Sequence, residues 1–182
     1  FSKGVIMELS ILIVSYNTAE LIKQCIASIC TSTADNPSFQ KQIEIIVVDN
    51  SSSDDSVAVL RALQKTSPIP ITVLANTVNS GFAAANNQAM LHAKGTYVLL
   101  LNSDTIAAPG ALAQLVQTIS EHETDNLGLL SATLTNSDGS IQPQGGDLPT
   151  LMSLFVFALL LDDIPVLGKL LPSHQHTGRR FH

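Results

Sequence analysis

Two aspartates stand at points where the chain leaves an apolar run. Asp49 opens Asp49-Asn50-Ser51 directly after Ile43–Val48, and Asp104 closes Asn102-Ser103-Asp104 directly after Tyr97–Leu101. A carboxylate flanked by amides and hydroxyls suits two tasks. It can accept a hydrogen bond from a ring N–H, or it can ligate a hard divalent cation, which takes oxygen ligands from one or two carboxylates and from ligand phosphates. Asp49 fits the first task and Asp104 the second. Two more polar clusters follow apolar runs: Ser15-Tyr16-Asn17 after Leu9–Val14, and Asn79-Ser80-Gly81 soon after Ile71–Leu74. Both aspartates also have a plain structural reading. Asp49 could cap a helix with its Ser/Asp neighbours, and Asp104 could be a turn residue ahead of Pro109.

The apolar runs are short and nearly continuous, the pattern of strands covered on both faces; Tyr97–Leu101 reads as a buried strand. Between them the period changes to that of helices. Leu21, Ile22, Cys25, Ile26 and Ile29 recur at helical spacing after Thr18, a suitable N-cap. Val57, Leu60 and Leu63 share one face of a second helix that the Ser/Asp cluster would cap. Residues 82–93 read as a third helix, stopped by Gly95. Pro109 suits the first turn of a fourth, which carries Leu112, Leu115, Val116 and Ile119. Residues 127–135 are expected to form a fifth strand. Strand–helix alternation of this kind predicts an α/β fold, a mostly parallel sheet with helices on both faces. In such sheets ligands bind outside the carboxyl ends of the strands, where all four polar clusters fall.

Beyond Thr135 the alternation stops. Asp138-Gly139 marks a hairpin turn, and residues 150–161 read as a helix apolar nearly all round, one that must be buried on several sides. The last residues read as a loose tail, whose His174 and His176 lack a carboxylate neighbour for a metal site. The six residues before Met7 read as a remnant of expression, with Met7 the native start.

Of 182 residues, 45 % are hydrophobic and 13 % charged, so the chain is globular rather than disordered. A net charge of −6 argues against a nucleic-acid groove. Cys25 and Cys30 make neither a CxxC pair nor a disulfide framework, and a reducing cytoplasm fits them. The longest apolar run, Leu154–Leu161, is far short of the roughly 20 residues a membrane-spanning helix needs.

The turn after the first strand, Ser-Tyr-Asn-Thr-Ala-Glu, has no glycine, which excludes a dinucleotide fingerprint; a P-loop is absent too. A phospho-acceptor receiver would use Asp49 but would want acidic residues after the first strand, and none is there. The stretches SILIVSYN, IIVVDNSSSDDS, NSGFAAANNQA and YVLLLNSDT, in this order and at these spacings, resemble family 2 glycosyltransferases of the GT-A fold. The set is most similar to the rhamnosyltransferase-like branch of bacterial polysaccharide synthesis. The resemblance runs from about Leu9 to Gln142, counting the Asp138-to-Gln142 turn.

What the resemblance implies can be stated residue by residue. Ser15, Tyr16 and Asn17 would line a nucleotide pocket, with Tyr16 against the base. Asp49 would hold a pyrimidine N–H, with Asn50 beside it. Asn79 and Gly81, with Asn86 on the helix behind them, would border ribose and diphosphate. Asn102, Ser103 and Asp104 stand where the family has its Asp-x-Asp motif, and Asp104 would ligate Mg²⁺ or Mn²⁺ bridging the diphosphate of a dTDP- or UDP-sugar. The acceptor would be a saccharide or a lipid-linked glycan. Peripheral membrane association of the whole protein at the inner membrane face, and a homodimer, are compatible with this reading.

The sequence departs from the family at two points. Asn102 puts a neutral amide where the metal motif usually has a carboxylate. The family's base, an Asp or Glu well downstream, has no match in Asp147, Asp162 or Asp163, so it is expected beyond His182. The expected organisation is a donor-binding domain over 7–145 and the start of an acceptor part over 146–182. The chain alone would then be inactive in transfer. The rival reading is a non-catalytic nucleotide-binding or scaffold module of the same fold.

Overall fold

The computed structural model describes residues 7–122, 127–136 and 138–142. The expectations for the first six residues, the helix over 150–161 and the tail lie outside the described residues. By its contacts the chain divides into Phe1–Leu130 and Ser131–His182.

The first unit alternates β1 (Leu9–Ser15), α1 (Ala19–Ser32), α2 (Pro37–Gln40), β2 (Ile43–Asp49), α3 (Ser56–Thr66), β3 (Ile71–Ala75), α4 (Phe82–Met90), β4 (Tyr97–Asn102) and α5 (Ala111–Glu121). All pairings are parallel and the strand order is β3-β2-β1-β4. The α/β expectation is borne out. Residues alternate across the sheet with the period of two that strands impose. Leu9, Ile11, Ile13, Ile43, Ile45, Val47, Ile71 and Val73 face one large core with Ile22, Cys25, Ile26, Ile29, Leu60, Leu112 and Val116 from the helices α1, α3 and α5. Leu12, Ile46 and Val48 face a smaller core, closed by Ala85 and Ala89 of α4.

The sequence missed α2, one turn in which Pro37 sits at the start and the Asn36 side chain accepts from Phe39 N at 3.1 Å. Helix α4 is shorter than expected, ending at Met90. Gly95 does not cap it. A Cβ there would lie 2.5 Å from Ser10 N and 2.8 Å from Tyr97 O, so the glycine lets the crossover enter β4 against β1. Helix α5 begins at Ala111 behind a left-handed Gly110 (φ 73°), two residues after Pro109. Strand β4 is not buried on both faces: Val98 is 38 % and Leu100 54 % exposed. The reason is geometric, because α4 packs over β1 and β2, and among the described residues that face of β4 is left uncovered. The expected fifth strand over 127–135 does not form. No strand spans residues 127–134, and Leu129 is 91 % exposed.

In the second unit the turn expected at Asp138-Gly139 is present. Thr135 and Ile141 form an antiparallel bridge, Gly139 N donates to Asn136 O at 2.9 Å, and Gly139 takes φ 81°. Two hydrogen bonds from Ser140, its hydroxyl first and then its backbone N–H, hold the Asp138 carboxyl below the usual carboxylate range.

Candidate functional site

Parallel pairing puts all four strand ends on one edge. Ser15 is in register with Asp49, Asp49 with Ala75, and Val14 with Asn102. The chain reverses direction of growth between β1 and β4, the switch point at which open α/β sheets form a ligand crevice. Asp49 and Asn102 are separated by one strand, hence by about 10 Å at the usual spacing between neighbouring strands.

Asp49 is 1 % exposed and already engaged. Ser52 donates its backbone N–H to Oδ2 at 3.0 Å and its hydroxyl to Oδ1 at 2.6 Å. The carboxylate therefore shapes its own loop, a tight turn from 49 to 52 with Ser51 at φ 71°. It does not cap α3; that end is served by Asp54, whose Oδ1 accepts from Ser56 N at 3.0 Å. An ionised carboxyl offers about four lone-pair sites, so Asp49 keeps acceptor capacity beyond Ser52.

The loop after β1 is stitched to the loop after β2. Asn17, at φ 53°, donates its N–H to Ser52 Oγ at 2.9 Å and accepts from Ser53 N at 2.8 Å. Thr18 N donates to Ser56 Oγ at 3.1 Å and Ala19 N to Asp54 Oδ2 at 3.1 Å. Thus Asp54, not Thr18, satisfies a free N–H at the start of α1, while the Thr18 hydroxyl shares a hydrogen with buried Ser15 Oγ at 2.9 Å. Ser56 and then Ala19 hold the Asp54 carboxyl below its ordinary range. Tyr16 rises from this stitched pair of loops, half exposed. Left-handed non-glycine residues are strained and concentrate at functional edges; Asn17 and Ser51 flank this one.

On the other side of β2, buried Asn50 ties three segments together. Its N–H donates to Ser15 O at 2.8 Å, its Nδ2 to Asn79 Oδ1 at 2.7 Å, and its Oδ1 accepts from Ser80 N at 3.0 Å. Asn79 Oδ1 also accepts from Gly81 N at 2.9 Å, and Gly81 enters α4 at φ 82°. Asn86 is buried, with Nδ2 donating to Phe82 O at 3.0 Å, within its own helix.

Asn102 and Asp104 are exposed at the end of β4, with Ser103 half-buried between them. No side-chain partner of Asn102 or Asp104 is present among the described residues. The charge of Asp104 is felt at Cys25 beneath it: burial and then that charge push the Cys25 thiol up to about 12. No cluster of three or more His, Cys, Asp or Glu stands among the described residues. A site with one free carboxylate fits a cation that keeps several waters and takes the remaining oxygens from a phosphate ligand.

The structure thus joins Ser15, Asn17, Asp49, Asn50, Asn79 and Gly81 through one hydrogen-bonded loop system, and sets Asn102, Ser103 and Asp104 apart across β1. Sequence reasoning missed Ser52, Asp54, Asn76 and Gln88. The spacing of Ser52, three residues after Asp49, is an aspartate-turn signal; Asn76 and Gln88 lie on separate elements and carry none.

The glycosyl transferase family 2 model matches residues 10–141. The chain is 34 % identical over 120 residues to poly(ribitol-phosphate) β-glucosyltransferase of Bacillus spizizenii, across 65 % of this chain and 18 % of that one. It is 32 % identical to a GalNAc(5)-diNAcBac-PP-undecaprenol β-1,3-glucosyltransferase of Campylobacter jejuni, across 63 % and 35 %. Among solved structures it resembles a mannosyltransferase of Pyrobaculum calidifontis in complex with GDP-Man and Mn²⁺, with TM-score 0.54 and 26 % identity over 62 % of this chain and 32 % of that one. The chain spans well under two thirds of the length of these relatives. With its strand-end clusters on one edge of a parallel sheet and the match covering all four of them, the chain belongs to glycosyl transferase family 2.

Proposed function

We propose that this chain is the donor-binding part of an inverting glycosyltransferase that takes its sugar from a nucleoside diphosphate. The observation that carries this reading is the pair of carboxylates on one sheet edge, Asp49 buried in a built loop and Asp104 free, one strand apart. Asp49 accepts the N–H of a pyrimidine, Tyr16 covers the base, and Asn79 and Gly81 border ribose and diphosphate. Asp104 would hold Mg²⁺ or Mn²⁺, with Asn102 and Ser103 beside it on the nucleotide. That cation supplies Lewis-acid stabilisation of charge on the departing diphosphate. The relative solved with GDP-Man and Mn²⁺ supports a nucleotide-sugar and a divalent ion as the ligand classes.

The motif set resembles the rhamnosyltransferase-like branch, so a dTDP- or UDP-linked deoxyhexose is the donor proposed. The relative named for an undecaprenol-linked glycan supports a saccharide or lipid-linked acceptor in cell-surface polysaccharide synthesis. Transfer also needs a base. Asp138 is poorly suited, because both bonds from Ser140 favour its ionised form and weaken it as a proton acceptor. Calorimetric titration with dTDP, UDP and GDP, each with Mn²⁺ and with chelator, tests the reading. Binding of a pyrimidine diphosphate that weakens on chelation is expected. No heat from any of the three with folded protein overturns it.

A further inference from the structure

Helix α4 is held by little apolar surface. Its buried apolar anchors are the methyls of Ala85 and Ala89, set against Leu12, Ile46 and Val48, and every residue from Thr77 to Ala84 is exposed. Two small side chains on a flat strand surface specify the axial position of a helix weakly. The loop 76–81 has no buried side chain at all. Yet this loop and the first turn of α4 are where the proposed site borders the ribose and diphosphate. Polar groups must therefore do the placing.

One pair is built for it. Asn76 Nδ2 donates to Gln88 Oε1 at 2.9 Å while Gln88 Nε2 donates to Asn76 Oδ1 at 3.0 Å, a closed two-bond amide ring between the loop and the second turn of α4. Asn76 is fixed to the end of β2 by its backbone N–H, which donates to Asp49 O at 2.9 Å, and its side chain also reaches Asn50 Oδ1 at 3.3 Å. The chain of bonds thus runs from the residue that meets the base, through Asn76, to the body of α4. We propose that Asn76 and Gln88 are positioning residues whose amide ring sets the 76–81 loop and the start of α4 against β2, in register for the diphosphate of a donor whose base sits at Asp49. This rests on the donor site proposed above.

Positioning predicts a loss confined to one end of the ligand. Uridine and UDP, each with Mn²⁺, are titrated against the wild-type chain, Gln88→Met, which keeps length and removes both bonds, and Asn76→Ala. Each variant is expected to lose about tenfold in UDP affinity, to leave uridine affinity unchanged, and to unfold in one cooperative transition. Combining the two should cost no more than Asn76→Ala alone, since that substitution already breaks the ring. Gln88→Glu keeps the acceptor and loses the donor, gives an intermediate loss, and serves if Gln88→Met does not fold. A folded variant whose uridine-to-UDP affinity ratio equals that of wild type overturns the proposal while leaving the donor site standing. Failure of the wild type to bind UDP overturns the donor site and this inference with it.

Discussion

Asp49 carries two loads at the residue scale, and they separate by substitution. Asp49→Ala removes the acceptor for Ser52 N and Ser52 Oγ, a stability cost of about 1–3 kcal/mol for the stranded groups. It also removes the proposed charged acceptor for the base, about 10- to 100-fold in affinity. Asp49→Asn keeps an acceptor for the 49–52 turn, so its denaturation midpoint should stay near wild type while nucleotide affinity still falls. Cys25 supplies a second check on the local electrostatics. With its thiol pushed up to about 12 and the side chain buried, it should resist alkylation at pH 8 in the native protein and react on unfolding. A raised value also means that Cys25 favours the fold below the unfolded thiol range, and that this contribution is lost as the pH rises towards 12. Residue types at the strand ends were legible in the sequence because polarity changes abruptly there. The partners were not: Ser52 turns Asp49 into a loop-former, and Asp54 rather than Thr18 serves the start of α1.

At the scale of elements, periodicity located β1 to β4 and the helices α1, α3 and α5, because each strand is short and apolar and each of these helices has one apolar face, while α4 was legible from its helix-forming composition. What it could not see is which face of a strand finds a cover. Strand β4 reads as buried through and through, but α4 lies over β1 and β2, so Val98 and Leu100 remain exposed. Residues 127–135 were apolar enough for a strand, but only an isolated bridge from Thr135 to Ile141 forms there. Gly95 illustrates the same gap, since its reason is the backbone of Ser10 and not the end of α4. Gly95→Ala forces a methyl against backbone that cannot swing aside, and should destabilise by about 1–3 kcal/mol in urea titration. It lies at the sheet edge opposite the proposed nucleotide site, so nucleotide affinity of the folded variant should be unchanged.

At the scale of the whole molecule, the described residues assemble the edge that would hold a donor. Transfer requires an acceptor hydroxyl held in line with the anomeric carbon and a positioned base, which typically adds about 10²–10⁴-fold. Asp138 is held by Ser140 in the wrong direction for that role. The 182-residue chain should therefore show slow donor hydrolysis and no transfer to a lipid-linked or saccharide acceptor, assayed by product chromatography. The central claim is that two carboxylates one strand apart read the two ends of a single ligand. Its most direct measurement is UDP affinity, with and without Mn²⁺, in wild type, Asp49→Asn and Asp104→Ala. The account predicts that Asp49→Asn weakens binding by a similar factor in both conditions, whereas Asp104→Ala abolishes the gain from Mn²⁺ and leaves metal-free affinity unchanged. An undiminished Mn²⁺ gain in Asp104→Ala, or unchanged affinity in Asp49→Asn, would contradict it.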